Sequence, residues 1–574
     1  MNCKKLITLL LAVALMLFLA ACGTPAEETT APNEATPPPE TVPATTEPVI
    51  IADPTVTVTG GEIQGMLNED ATVNIFKGIP YAAAPVGDLR WKAPQPAENW
   101  DGVKVCTEYS ASAMQAEQAP WGVYTDEFII DTSLGYSEDC LYLNVWTPVD
   151  ADGDEPVLVF IHGGNNVSGG ASCEIYDGEE MAKKGIVFVS INYRVGIFGF
   201  LASSELSAES PDNISGNYAL QDQIFALKWI QDNISEFGGD ATNVTISGQS
   251  AGSYDVNMLG VCPEAEGLFN NIFTMSFNLV ESNHKYVPMA QADKEAEGDA
   301  FFAGRSLEEM RALSAEEVLS TGAVSNYGNI DGKFVLGSYR DMILAGNALD
   351  VNIISGNVTG GYDFYGDPML LGAFLTGGDM FDLFMGMGSM PPATVEDYQT
   401  MVSERVGNKA EEFLSLYPVE TVDELASVLV EIENDALIAK QQMNAELWNA
   451  HKNNQVYVYL FDHVMAGNDA SGNLMTVAFH SGDIPYWFNH LTDLRADVWT
   501  ESDVVLADVM SDYVANFVKS GNPNGSNLPV WSAYTADTET YSYLYLGDSA
   551  SEMEMDSAKT AFWRYLLGTL YEIS

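Results

Sequence analysis

The sequence predicts an α/β fold: a mostly parallel central β-sheet covered by helices on both faces. Three observations carry this. Short, nearly continuous apolar runs of strand length alternate with longer segments of helical period, as expected where strands are buried on both sides. Two of these runs stop at glycines, where a chain leaving a sheet can turn sharply. No internal repeat and no second low-complexity break follows residue 50, so residues 51–574 read as one large domain, although a 574-residue chain has length for several.

The first residues read as an address. Lys4 and Lys5 precede an apolar stretch from Leu6 to Leu19, and Leu19-Ala20-Ala21-Cys22 supplies small residues before a cysteine. The apolar core is shorter than the roughly 20 residues a bilayer requires, so residues 1–21 are expected to be a secretory signal and not a spanning helix. The end of this segment resembles a bacterial lipobox, which makes Cys22 the expected lipid-carrying first residue of the mature chain. An ordinary signal peptide with an incidental cysteine is the alternative. Residues 22–50 are Pro, Thr and Glu with almost no large apolar side chain, and are expected to be an extended tether. The expected location is the bacterial cell surface, anchored to the membrane through Cys22.

Composition narrows the function classes. An apolar fraction of 47% with 11% aromatic residues belongs to a folded protein. The formal charge of −57 becomes −59 when residues 1–21, with two lysines and no acid, are removed. Such a surface repels phosphate backbones, so nucleic acid is excluded as a partner, and anionic substrates are disfavoured. No later apolar run is long and charge-free enough to span a membrane. No histidine or cysteine cluster has zinc spacing and no EF-hand loop is present, so no metal or other cofactor is expected. The oligomeric state is not legible.

The elements follow in order. Pro156–Ile161 is a buried strand ending at His162-Gly163-Gly164, and 186–192 is a second, followed by Tyr193-Arg194. Residues 218–236 place Leu220, Ile224, Leu227 and Ile230 near helical spacing. Val244–Ser247 is a third strand. Further strands are expected at 351–355 and 455–461, with a helix around 502–519.

Gly248-Gln249-Ser250-Ala251-Gly252 follows the third strand. A G-x-S-x-G on a strand-to-helix turn needs small residues around the serine because the turn is tight and strained, and it lifts the hydroxyl above the sheet edge. The Ala251 amide then points where an oxyanion would form, at a helix N-terminus. Ser250 is the candidate nucleophile.

Phe237-Gly238-Gly239-Asp240, Val244, Ile246 and the GQSAG together resemble the serine-site signature of the type-B carboxylesterases, the cholinesterase-like family. Glu138-Asp139-Cys140-Leu141-Tyr142-Leu143-Asn144-Val145-Trp146 is similar to that family's second signature. Phe76–Ala82, Leu89-Arg90-Trp91, Asn192-Tyr193-Arg194 and Asn522-Pro523-Asn524 with Trp531 resemble its other landmarks. The resemblance runs in order over residues 55 to 545. It implies an α/β-hydrolase fold with large cap insertions and a deep gorge, and a serine esterase as the activity.

The resemblance also assigns roles. His480, in Ala478–Pro485, matches the catalytic-histidine loop and is the expected general base, with chain order serine then histidine. His162 matches a loop-shaping position. His284, His451, His463 and His490 sit in no site pattern and read as surface or packing residues. Gly164 and Asn165 are oxyanion donors by position, with Ala251 the third. Where the family carries glycine or alanine this chain has Asn165, whose side chain is expected to narrow or polarise the site. The triad acid is the departure. Ungapped matching puts Gly361 at its place, and Asp363 takes the role if the loop is longer by two. Otherwise Asp363 is a solvated loop residue and the acid lies elsewhere or is absent. Gln249 stands where glutamate is frequent; Asp483, close to His480 in sequence, either compensates for that charge or caps its loop.

Cys106, Cys140, Cys173 and Cys262 remain in the mature chain beyond Cys22. An exported protein with four cysteines suggests two disulfides among three pairings. The second signature's cysteine closes a loop with an earlier partner in related proteins, which implies Cys106–Cys140 and, by exclusion, Cys173–Cys262. Two functions remain: a lipid-anchored serine carboxylesterase acting on small ester substrates through an acyl-serine, or a non-catalytic surface binder of the same fold. Ser250 with His480 favours the first and Gly361 the second.

Overall fold

In the computed structural model, eleven strands form the central sheet. They are β1 (Met66–Leu67), β2 (Val73–Pro80), β3 (Tyr142–Pro148), β4 (Glu155–Ile161), β5 (Val187–Ile191), β6 (Gly239–Gln249), β7 (Asn271–Met275), β8 (Asn352–Val358), β9 (Val456–Phe461), β10 (Ser542–Leu546) and β11 (Ala550–Glu554). Their spatial order is β1-β2-β3-β5-β4-β6-β7-β8-β9-β10-β11. The run from β5 to β10 is parallel, while β1 to β3 and β11 add antiparallel edges. The structure describes residues 53–117, 132–277, 286–360, 392–450, 454–467, 475, 477–492, 498–535 and 541–570. The chain divides into two units, Met1–Ile51 and Ala52–Ser574, and the second holds every described element.

Alternation explains why the central strands read as continuous apolar runs. Along β4, Val157, Val159 and Ile161 enter one core layer, while Leu158 and Phe160 enter the layer on the other face. Successive side chains of a strand point to opposite faces, so a sheet covered twice needs apolar residues at every position. Helix α1 (Tyr218–Asn233) packs Leu220, Ile224, Leu227 and Ile230 into the first layer, joined by Val256 and Leu259 of α2 (Ala251–Leu259). Helix α3 (Leu425–Asn449) and α5 (Ser557–Leu570) share a third cluster around Leu429, Ile432, Trp563 and Leu567. On the opposite face α4 (Glu501–Ser520) contributes Leu506, Met510, Val514 and Phe517. The strands and helices expected at 156–161, 186–192, 218–236, 244–247, 351–355, 455–461 and 502–519 are all present, with ends moved by a few residues.

Several motif residues turn out to tie segments together. Arg90 makes a two-point ion pair with Glu138, Nε to Oε1 and Nη2 to Oε2 both at 2.6 Å, and its Nη1 donates to the Leu313 carbonyl at 2.8 Å. Arg194 clasps Asp222 of α1 in the same way, at 2.7 and 2.6 Å, and donates to the Lys92 carbonyl. Both members of this second pair are buried. A planar guanidinium satisfies a buried carboxylate and backbone carbonyls at once, and removing one partner leaves an uncompensated charge costing roughly 3–5 kcal/mol.

The expected disulfides are not present: Cys106, Cys140, Cys173 and Cys262 are four separate buried thiols. Cys173 packs in the Leu158–Phe160 layer and Cys262 in the Val157–Ile161 layer, so the sheet stands between them. Cys106 and Cys140 share a layer, but the Cys106 thiol is directed at the Gly78 carbonyl, 3.9 Å away. Burial pushes Cys106 up to about 11 and Cys262 up to about 12, and raises Cys140 further, so all three are held as thiols. Buried, protonated sulfur packs as a small hydrophobe. Among the described residues no helix is long and apolar enough to cross a membrane.

Candidate active site

The sheet sets the position of the site. From β4 the chain crosses to β5 on one side, and from β6 to β7 on the other, so the loops leaving β4 and β6 diverge. That divergence opens a crevice at the carboxyl ends of parallel strands, where open α/β sheets bind ligands. His162–Asn166 leaves β4 there, and Ser250 leaves β6.

Ser250 has φ 55° and ψ −121°, between the last residue of β6 and the first of α2. An L-residue pays about 1–3 kcal/mol to hold such a conformation. Its amide donates to the Met275 carbonyl at 2.9 Å, and its carbonyl accepts from Tyr254 at 3.0 Å, so both peptide groups are fixed. The flanking glycines are required by contact. A Cβ on Gly252 would lie 2.1 Å from the Ile161 carbonyl oxygen, and one on Gly248 would lie 2.3 Å from that of Gly252. Only bare backbone lets α2 start this close to β4.

The His162–Asn166 loop closes against the serine. A Cβ on Gly163 would lie 3.0 Å from the Ser250 Cβ and 2.8 Å from the Gln249 carbonyl oxygen. His162 is buried and stacked on Tyr193, centroids 4.4 Å apart, with Nδ1 2.8 Å from the Gly163 carbonyl. Burial lowers it to about 4, so it is a neutral packing group that shapes the loop. Asn165 takes φ 55°, a left-handed conformation that asparagine tolerates better than most residues. Its side chain is hydrogen-bonded to a segment distant in the sequence. Tyr327 Oη donates to Asn165 Oδ1, and Asn326 Nδ2 donates to the Asn165 carbonyl.

The next residue is also staked. Asn166 Nδ2 donates to Asp255 Oδ1 at 3.1 Å, and its carbonyl accepts from the Gly196 amide at 2.6 Å. The Tyr193 hydroxyl lies 2.7 Å from the His162 carbonyl and 3.2 Å from Asn166 Oδ1. Asp255 is buried on α2 among neutral donors, with Gln223 Nε2 at 2.6 Å, and burial raises it to about 7. Asp255, Asn166, Tyr193 and Tyr327 were not singled out as site residues from the sequence. A carboxylate in the apolar run of α2, five residues past Ser250, was the one available signal.

His480 is fully buried, and its Nε2 lies 3.0 Å from the side-chain amide nitrogen of Gln249. With that amide donating, Nε2 is the lone-pair nitrogen of the ring. Asp483 is occupied separately, accepting from Tyr459 Oη at 2.8 Å and Trp487 Nε1 at 3.2 Å, and burial raises it to about 6. It ties its loop to β9. Asp363 and Gly361 lie outside the described residues, as do Cys22, His284 and His451. The backbone leading to Gly361 is placed: Thr359 donates to the Phe461 carbonyl at 2.8 Å and Gly360 to the Ala478 carbonyl at 2.9 Å, two residues before His480. The chain after β8 thus reaches the His480 loop. His463 is a packing residue, buried, with Nε2 2.8 Å from Asp503 of α4. Among the described residues no group of His, Cys, Asp or Glu is placed to hold a metal ion.

This strand order, with both loops at its switch point, is that of an α/β-hydrolase, and the arrangement suits attack on an acyl carbon beside backbone donors. The chain belongs to the carboxylesterase family, whose family model matches residues 52–563. It is 30% identical to a fumonisin B1 esterase of Sphingopyxis macrogoltabida over 482 residues, covering 83% of each chain. It is also 30% identical to carboxylesterase 1E of Rattus norvegicus over 528 residues, covering 86% of this chain and 90% of the relative. Among solved structures, a Geobacillus stearothermophilus carboxylesterase superposes with a TM-score of 0.69 at 27% identity, covering 89% of this chain and 99% of that one. A PNB esterase gives 0.66 at 26% identity, covering 90% and 100%. The protein is a carboxylic ester hydrolase.

Proposed function

We propose that this chain is an exported, lipid-anchored serine carboxylesterase that works through an acyl-Ser250 intermediate. The observation that carries the reading is Ser250 held at φ 55° on the β6–α2 turn, with the Gly163 backbone against it and His480 beside its neighbour Gln249. The Ser250 hydroxyl oxygen attacks the ester carbonyl carbon and its proton passes to His480 Nε2. The oxyanion is met by the N–H groups of Gly164, Asn165 and Ala251. When the carbon–oxygen bond to the alcohol breaks, His480 returns the proton to the leaving oxygen. Water, activated by the same nitrogen, then releases the acid and restores the serine.

Asp363 is the proposed acid behind His480, supported by the hydrogen bond from Gly360, three residues before it, to the Ala478 carbonyl near His480. The formal charge of −57 supports neutral over anionic esters as substrates. The lysines, apolar stretch and small residues before Cys22 support export and lipid attachment at that cysteine, with residues 22–50 as a tether.

The test is hydrolysis of a short-chain p-nitrophenyl ester by the mature protein beside Ser250→Ala and Asp363→Ala. Turnover lost in Ser250→Ala supports the nucleophile, and a further loss on the order of 10⁴ in Asp363→Ala supports the acid. Full turnover in folded Ser250→Ala overturns the mechanism. Fatty-acid labelling that survives Cys22→Ser overturns the anchor.

A further inference from the structure

Asn165 departs from the glycine or alanine that the family carries after His-Gly-Gly, yet its side chain is taken up by a segment more than 160 residues later in the chain. The Tyr327 hydroxyl donates to Asn165 Oδ1 and the Asn326 amide to the Asn165 carbonyl. Tyr327 is buried, and α2 holds it in turn. The Tyr254 hydroxyl donates to the Tyr327 carbonyl at 2.9 Å, and the two rings meet edge to face at 4.9 Å. Tyr286 also packs edge to face on it, at 4.8 Å. Tyr254 is itself bonded through its amide to the Ser250 carbonyl.

These contacts form a closed circuit: Ser250, one turn of α2, Tyr254, Tyr327, Asn165, and back through Gly164 and Gly163 to the serine. An oxyanion donor is useful only if its N–H already points at the place where charge develops. Asparagine at φ 55° has side-chain freedom that glycine lacks; Tyr327 fixes its rotamer through Oδ1, while Asn326 holds the peptide that follows.

We propose that Tyr327 is a positioning residue for the oxyanion hole, acting through Asn165 and tying the loop after β4 to the helix that begins at the serine. The proposal rests on Ser250 and the Gly164–Asn165 amides being the reacting machinery.

The test is a double-mutant cycle on short-chain p-nitrophenyl ester hydrolysis, with Tyr327→Phe, Asn165→Gly and the pair. Tyr327→Phe keeps the ring and removes one hydroxyl; Asn165→Gly keeps φ 55° accessible and removes the acceptor. Tyr327→Phe is expected to lower kcat roughly threefold to tenfold with KM little changed. It is expected to weaken a trifluoromethyl ketone inhibitor, which forms a tetrahedral adduct at the serine, by the same factor. In the Asn165→Gly background Tyr327→Phe is expected to have no further effect. Unchanged kcat, a loss confined to KM, or the same loss in both backgrounds overturns the proposal. Covalent labelling of wild type and Ser250→Ala with a fluorophosphonate keeps the two readings apart: labelling of both overturns the assignment of Ser250 itself, whatever Tyr327 does.

Discussion

Asp255 offers a quantitative prediction. Its carboxylate is buried on α2, faces the amides of Asn166 and Gln223 with the Tyr193 hydroxyl nearby, and has no cation among its hydrogen-bond partners. Burial raises it from 3.8 to about 7, so between those values the folded protein keeps a proton that the unfolded chain releases. Stability therefore falls as pH rises through this window, is highest below it, and carries the full penalty above about 7. At about 1.4 kcal/mol per pKa unit, the stretch from pH 5 to the folded value amounts to about 3 kcal/mol. Asp255→Asn removes the titration and keeps the shape. The replacement amide has a ready partner, because Gln223 Oε1 is buried without a hydrogen bond and turning the Gln223 amide brings it into place. Urea unfolding of both proteins at pH 5 and pH 8 should show the variant gaining about 3 kcal/mol on the wild type between the two conditions. An advantage that is the same at both pH values would refute the idea that Asp255 titrates in this window. A variant less stable at pH 8 than at pH 5, relative to wild type, would reverse the sign of the argument.

Gln249→Glu places a carboxylate about 3 Å from His480 Nε2 in a buried setting. An opposite charge this close favours the imidazolium, so the acid limb of kcat/KM is expected to move up by about one to three pH units, with less activity at neutral pH. A pH–rate profile with an unmoved limb shows that the Gln249 contact does not govern the base. Added salt should move the wild-type acid limb to lower pH, because the formal charge of −57 favours imidazolium and salt screens it. A limb that stays put from low to high ionic strength counts against long-range charge as its cause.

The parts of this protein legible in the sequence are those encoded locally or by period. Buried strands announced themselves because a sheet covered on both faces requires apolar side chains at each position, as Val157 to Ile161 show. The elbow at Ser250 was legible because its turn excludes side chains at 248 and 252, a restriction visible in five consecutive residues. His480 was singled out through the resemblance of its loop and not by spacing, since 230 positions separate it from Ser250.

The cysteine pairings failed for a related reason: parity and order say nothing about which side of a sheet a thiol faces, and Cys173 and Cys262 face opposite layers. Asn165 is the sharper case. From the sequence its side chain was expected to narrow or polarise the site; that it bonds to Tyr327, with Asn326 on its carbonyl, depends on a segment no local pattern links to it. Sequence alone determined the strand and helix periods, the strained turn and the acidic surface, because backbone sterics and alternating burial act over a few residues. The tertiary structure decided which side chains hold the loop after β4, how Asp255 is desolvated and what His480 touches, because those energies depend on groups that meet only when distant segments pack.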